Sequence, residues 1–173
     1  AIEVADIPGL STQQVQNLGT TAVAALSTDQ VQQLSTSQLA ALSSTQVQAL
    51  TTDQIVALSS SQLGALSTAG VAALSTTQVQ AIEVADIQGV STRQMQALGT
   101  SQLQALSTDQ IQVLNSQQVG ALKTSQAQAL TTEQIVALNS EQVGWLETVD
   151  VAVLTTAQVQ AIEVADIEGL SSS

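Results

Sequence analysis

The sequence predicts an all-α repeat solenoid of very short helices, one for every eight residues, with a β-solenoid as the alternative. Three observations carry that expectation. An apolar octad runs through the chain, a helix-capping pattern recurs inside it, and a heptapeptide returns after every ten octads.

Stepping by eight from Ile2 to Leu170 meets Leu, Ile or Val at all 22 positions. A second ladder, from Ile7 to Ile167, is apolar at all 21 positions, and Gln precedes it at 15 of them. The unit reads Leu-Ser/Thr-Thr/Ser-x-Gln-Val-x-Ala and is never interrupted. Such self-similarity is the mark of a repeat architecture. The heptapeptide Ala-Ile-Glu-Val-Ala-Asp-Ile stands at 1–7, 81–87 and 161–167. Residues 1–80 and 81–160 are identical at about 49 of 80 positions. The expected organisation is therefore a ten-octad unit at 1–80, a second at 81–160 and the start of a third at 161–173, in one continuous solenoid. A weaker period of 24 pairs Asp29 with Asp53, Asn115 with Asn139 and Gly120 with Gly144. Residues one coil apart in a solenoid touch and tend to resemble each other, so three octads per coil is the expectation.

Each element follows from local chemistry. A continuous helix fails, because eight residues at 100° each turn the apolar stripe by about 80° per octad. Ser, Thr and Val suit strands, but the turns of a β-solenoid favour Gly, Asn or Asp, which the octad lacks at any regular place. Ser27 and Gln30 have the spacing of a capping box, in which N-cap and N3 side chains each satisfy the other's backbone N–H. The frame recurs at Ser35/Gln38, Ser43/Gln46, Thr51/Gln54 and Thr131/Gln134. Acids at the intervening slot, such as Asp29, Asp53, Asp109 and Glu133, meet the positive helix end. Each octad thus reads as one to one and a half helical turns followed by a bend at Leu-Ser, with Gln, Ser, Thr and the acids facing water. Alone, so short a helix is unstable; stacking supplies the cooperativity. At the marker, Glu83-Val84 replaces Ser-Thr. A longer helix from Gln78 to about Ile87 is expected there, stopped by Gly89 as a C-terminal cap.

Composition excludes most chemistry. The chain has no His or Cys, one Lys, one Arg and a formal net charge of −12. Imidazole bases, thiolate nucleophiles and the common zinc sites are absent. Two cations give no footprint for nucleic acid. Ser and Thr lack an activating His, and paired carboxylates without an aromatic platform do not make a glycosidase. The expectation is a protein that is not an enzyme, carries no cofactor, binds no nucleic acid and does not insert in a membrane. Beginning at Ala1 without a leader pattern, the sequence reads as a segment of something longer.

The arrays Leu26-Ser-Thr-Asp-Gln-Val-Gln-Gln and Leu50-Thr-Thr-Asp-Gln-Ile-Val-Ala resemble octad repeats in very large secreted or surface proteins of proteobacteria, described as adhesin-like. That resemblance covers the whole chain. It implies an extracellular or cell-surface stalk or fibre, and it transfers no catalytic residue.

Two groups of residues merit inspection. Glu3/Asp6, Glu83/Asp86 and Glu163/Asp166 lie three apart and are candidate Ca²⁺ ligands, against the plainer reading of a solvated acidic face. Val113, Trp145 and Val153 stand where Ala is usual, and could line a contact patch or simply fill local space. The alternatives to a stalk are a self-assembling filament with the chain's own repeats as partners, a Ca²⁺-dependent linker, and an ice- or glycan-binding array.

Overall fold

A computed structural model describes residues 3–170. Ile2 at the foot of the first ladder, and residues 171–173 of the third unit, lie outside that range. The chain divides into two compact units, Ala1–Val90 and Ser91–Ser173.

In the first unit, helices Thr12–Gln16, Thr20–Ala24, Thr28–Gln32, Thr36–Ala40, Ser44–Ala49, Thr52–Val56, Ser60–Ala65, Thr68–Ala73 and Thr76–Gln80 begin one octad apart. The 3₁₀ helices Val4–Gly9 and Val84–Gly89 flank them. In the second unit the same spacing carries Thr92–Ala97, Thr100–Gln104, Thr108–Gln112, Ser116–Gly120, Thr124–Ala129, Thr132–Ala137, Ser140–Gly144, Thr148–Val151 and Thr156–Ala161, with Ile167–Leu170 last. No strand is formed among the described residues, so the helical reading stands and the β-solenoid does not.

The corners explain how the chain turns without glycine. Leu50 has φ −60°, ψ 138°, and Thr51 has φ −76°, ψ 162°. Two extended residues between helices redirect the chain, and no described residue has positive φ. The corner leucine is tied back through its N–H, as in Leu50 N–H to Val47 O at 3.2 Å. The next helix is then capped. Ser27 Oγ accepts from Gln30 N–H at 3.2 Å, and Gln30 Oε1 accepts from Ser27 N–H at 2.7 Å. The full box recurs at Ser35, Thr51, Ser75, Asn115 and Thr131, among others. Each such cap is worth about 1 kcal/mol, which matters for so short a helix.

Within each unit, every helix packs on the one three octads away. Thr12–Gln16 meets Thr36–Ala40, Thr36–Ala40 meets Ser60–Ala65, and Thr108–Gln112 meets Thr132–Ala137. Three octads therefore make a coil, as the echo at a spacing of 24 suggested. The two apolar ladders form the core. Val31, Leu39 and Val47 are fully buried, and Leu34, Leu42 and Leu50 are 4 % exposed.

The structure corrects the expected role of the glutamines. From Gln38 onward those preceding the second ladder are buried, with Gln38, Gln46 and Gln54 each 2 % exposed. Oε1 serves the cap, and Nε2 reaches the coil beneath. Gln54 Nε2 donates to Val23 O at 2.9 Å and to Leu26 O at 2.7 Å. Gln46 bonds Val15 O and Leu18 O in the same way, and Gln134 bonds Leu103 O and Leu106 O. The register is the same in both units: the two acceptors lie 31 and 28 residues earlier. One amide thus closes its own helix cap and sews its corner to the corner below. An unpaired backbone carbonyl in that place would carry a desolvation cost, so the glutamine belongs inside and not in water.

The marker is the second correction. No helix runs from Gln78 to Ile87. The helix Thr76–Gln80 ends, Ile82 occupies an ordinary corner, and Glu83 stands at the N-cap with φ −64°, ψ 142°. The octad frame continues, so Glu83 holds the serine slot and Asp86 the glutamine slot. At Val4–Gly9 and Val84–Gly89 the marker octad winds as 3₁₀, whereas at the third marker Ile167–Leu170 is α-helical.

Gln54→Leu is expected to remove the cap acceptor and both corner donors at once. It leaves Thr51 N–H and Leu26 O without their partners, while Val23 O keeps only the Leu26 N–H at 3.2 Å, a loss of about 2–4 kcal/mol. Gln48→Ala, at an exposed side chain, is expected to change stability by less than about 0.5 kcal/mol. Denaturant unfolding followed by circular dichroism compares the two.

Candidate functional site

The positions that depart from the octad rule are where something beyond packing can occur. At the marker of the first unit, Glu83 is exposed and Asp86 half-buried. Asp86, as a carboxylate, has no N–H to donate. It cannot sew its corner to the carbonyls beneath, which the shared register places at Ile55 and Leu58. An open recess of ≈ 580 Å³ remains, lined by Val56, Ala57, Leu58, Glu83 and Asp86, with Ser35 and Gln62 among its other walls. The second unit repeats it. There a recess of ≈ 400 Å³ is lined by Val136, Ala137, Leu138, Asn139, Glu163 and Asp166. The candidate acids Glu83/Asp86 and Glu163/Asp166 thus line equivalent recesses, one at each of the two later markers.

The first marker differs. Asp6 Oδ2 accepts from Glu3 N–H at 2.9 Å, so that carboxylate works as a helix cap. Among the described residues no group of three or more acids, His or Cys could hold a metal ion. Each recess offers two carboxylates, against the six to eight oxygens that Ca²⁺ takes.

Glycine makes the marker fit. Gly89 is not a left-handed cap; it is the last residue of the 3₁₀ helix, and its φ is negative. It is needed for close approach, because a Cβ on Gly89 would collide with the Ser60 carbonyl oxygen, while a Cβ on Gly64 would lie 2.6 Å from Gly89 O. The marker therefore beds on helix Ser60–Ala65 at a glycine–glycine contact. Gly169 meets Ser140 O in the same manner. Gly9, with no coil beneath it, has open space.

The three residues at the alanine slot do not come together. Val113, Trp145 and Val153 are all half-buried, but their octads fall on three different sides of the three-octad coil. Trp145 lines its own recess of ≈ 480 Å³ with Gly144, Leu146, Glu147, Thr148 and Val149. Val149 beside it is 57 % exposed. The like charges 24 apart do stack. Asp109 and Glu133 sit on adjacent coils, both exposed, where salt screens them. Hydrogen bonds from its own backbone N–H and from the Thr131 and Thr132 hydroxyls hold the Glu133 carboxyl below its usual range, with burial a smaller opposing effect.

Sequence reasoning passed over Asp150. It occupies the glutamine slot of its octad, is 1 % exposed, and its Oδ2 has no hydrogen-bond partner. Burial pushes its pKa up, and the Glu147 carboxylate at the N-cap adds to the rise. The signal was available: positions 6, 86, 150 and 166 are the four where the glutamine row holds Asp.

What these features define is an all-α repeat array whose recurring unit is a capped corner. The chain belongs to the ALTTAQ repeat family, whose model matches residues 1–36, 32–60, 56–82, 79–116 and 111–148. Each matched stretch holds at least one coil of three octads. The name describes the corner itself, as in Ala49-Leu50-Thr51-Thr52-Asp53-Gln54: helix end, core leucine, N-cap, two helical residues and the sewing glutamine. None of the curated proteins matches the chain.

The equivalent glycines give a differential test. Gly89→Ala is expected to destabilise by at least about 1–3 kcal/mol, as overpacking against backbone does. Gly9→Ala, in open space, is expected to be neutral or slightly stabilising. Thermal melts of the two variants decide, and equal effects would contradict the packing described.

Proposed function

We propose that the chain is a structural repeat segment, a stalk or fibre, of a large secreted or cell-surface adhesin-like protein, and that it performs no catalysis. The observation that carries this reading is the complementarity of its terminal coils. In the first coil Leu10, Leu18 and Leu26 are only half-buried, while the same row is closed from Leu34 to Leu146. In the last coil Val159 is 52 % and Ile167 51 % exposed, while the same row is closed from Ile7 to Val143. The first coil of the first unit leaves its leucine row open and the last coil of the second unit its valine row, the two surfaces that adjoining coils within a unit bury against each other. Further copies of the same repeat, in cis or from another molecule, are the partners such surfaces fit.

The acid-lined recesses support a second reading, a linker that stiffens on binding Ca²⁺. They recur at the two later markers and present carboxylate oxygens with no competing N–H from the slot residue.

Chains bearing one, two and four copies of the ten-octad unit test the stalk reading under negative stain. Particle length is expected to rise by the same step with each copy, and particles that thicken without lengthening would remove it. For the linker, millimolar Ca²⁺ is expected to raise the melting temperature and EDTA to restore it; an unmoved melt dismisses that reading.

A further inference from the structure

Within each unit the buried row amides donate downward to two corner carbonyls, as Gln54 and Gln134 do. On either side of Asp150 the pattern is intact. Gln142 Nε2 bonds Ile111 O at 2.9 Å and Leu114 O at 3.0 Å, and Gln158 Nε2 bonds Ala127 O at 2.9 Å and Leu130 O at 2.8 Å. The same register sets Asp150 over the corner at Val119–Leu122. A carboxylate in that slot has no hydrogen to offer the carbonyls of that corner. Its Oδ2 is buried and unpartnered. A protonated carboxyl carries one O–H, the donor that the position lacks.

We propose that Asp150 is a pH-sensitive latch of the second unit. As the neutral acid it donates its O–H to the corner at Val119–Leu122 and holds helix Thr148–Val151 on Thr124–Ala129. Once ionised, it loosens that helix.

The surrounding charges are few. On its own element Glu147 stands at the N-cap, a like charge that favours the neutral acid. The helix beneath has Lys123 at its N-cap and no titratable group within Thr124–Ala129; that cation favours ionisation. The corner Val119–Leu122 has no titratable group, and the preceding helix Ser140–Gly144 has only the exposed Glu141. Burial adds to the effect of Glu147, and the direction is upward. The first unit holds an internal control. Its equivalent slot is Gly70, where the N–H is capped by Ser67 Oγ at 3.0 Å and an added Cβ would lie 3.0 Å from Val47 Cγ2. That slot has no carboxyl.

The sign follows from linkage. The folded-state pKa of Asp150 lies above its unfolded value. Its contribution is therefore greatest below the unfolded pKa and is lost as pH rises through the folded one.

The test uses the full chain. The Asp150 carboxyl carbon is followed by NMR from pH 3 to 8. Melting temperatures of wild type, Asp150→Gln and Asp150→Asn are measured over the same range. Asp150 is expected to titrate above the exposed aspartates. Asp150→Gln, which restores the amide, is expected to melt about 2–4 °C above wild type at pH 7.5, and the gap is expected to close toward pH 4. Asp150→Asn, a shorter amide that does not titrate, should show the same convergence even if glutamine does not fit. Protection factors of Thr148–Val151 should fall as pH rises while those of Thr68–Ala73 hold. An ordinary titration midpoint, or a gap that is equal at every pH, overturns the proposal. So does a gap that millimolar Ca²⁺ closes at pH 7.5, because a metal ion and not a proton would then fill the slot.

Discussion

The amide of the row glutamine is the interaction on which the rest depends. So short a helix has more unsatisfied terminal groups than internal hydrogen bonds. Hydrophobic burial alone would not specify where each helix begins. Gln54 does so by using both ends of one side chain, Oε1 on the cap of its own helix and Nε2 on the corner of the coil beneath. Local capping and long-range stacking are thereby one event. A helix that frays loses its downward tie, and a coil that lifts exposes two carbonyls. That coupling gives elements with little stability of their own a shared cooperativity.

Much of this was legible in the sequence. The Ser27–Gln30 pairing is local and has a known chemistry, so spacing alone exposed it. Three octads per coil showed in Asp29/Asp53 and Gly120/Gly144, because contact makes neighbours alike. The second job of the glutamine did not show. Its partners are backbone carbonyls a full coil and more away, as Val23 and Leu26 are from Gln54, and backbone carbonyls leave no trace in side-chain identity. A repeated polar residue with a sufficient local role therefore looked like surface. The marker misled for a related reason. Glu83-Val84 lacks a hydroxyl cap, which suggested an uninterrupted helix. Ile82 still fills the corner position of the core ladder, and that ladder sets the chain's path. Gly89 was visible as a special residue, but its reason was the nearness of Ser60 and Gly64 instead of a left-handed φ.

The aspartates of the later glutamine row are of two kinds. Asp86 and Asp166 are half-buried at recesses open to water, so the missing tie costs little. Asp150 is sealed, and its carboxyl must resolve the lost hydrogen bond internally. The same substitution thus yields a wet acidic hollow in one octad and a perturbed buried acid in another. Solvent access separates the two, with the Glu147 carboxylate adding to the effect at Asp150.

Because the row glutamines that have a coil beneath them within their unit meet equivalent corners there, an in-frame copying error that gains or drops a whole octad leaves most ties intact. Each amide simply meets the next equivalent pair of carbonyls. The stretch from Gly64 to Gly89 is different. There the marker needs a glycine and the Ser60 carbonyl at one fixed count of residues, and an added octad would set Gly89 above the wrong helix. Slippage is tolerated along the plain coils and refused next to the marker. The marker contact therefore fixes the count of residues between Ser60 and Gly89.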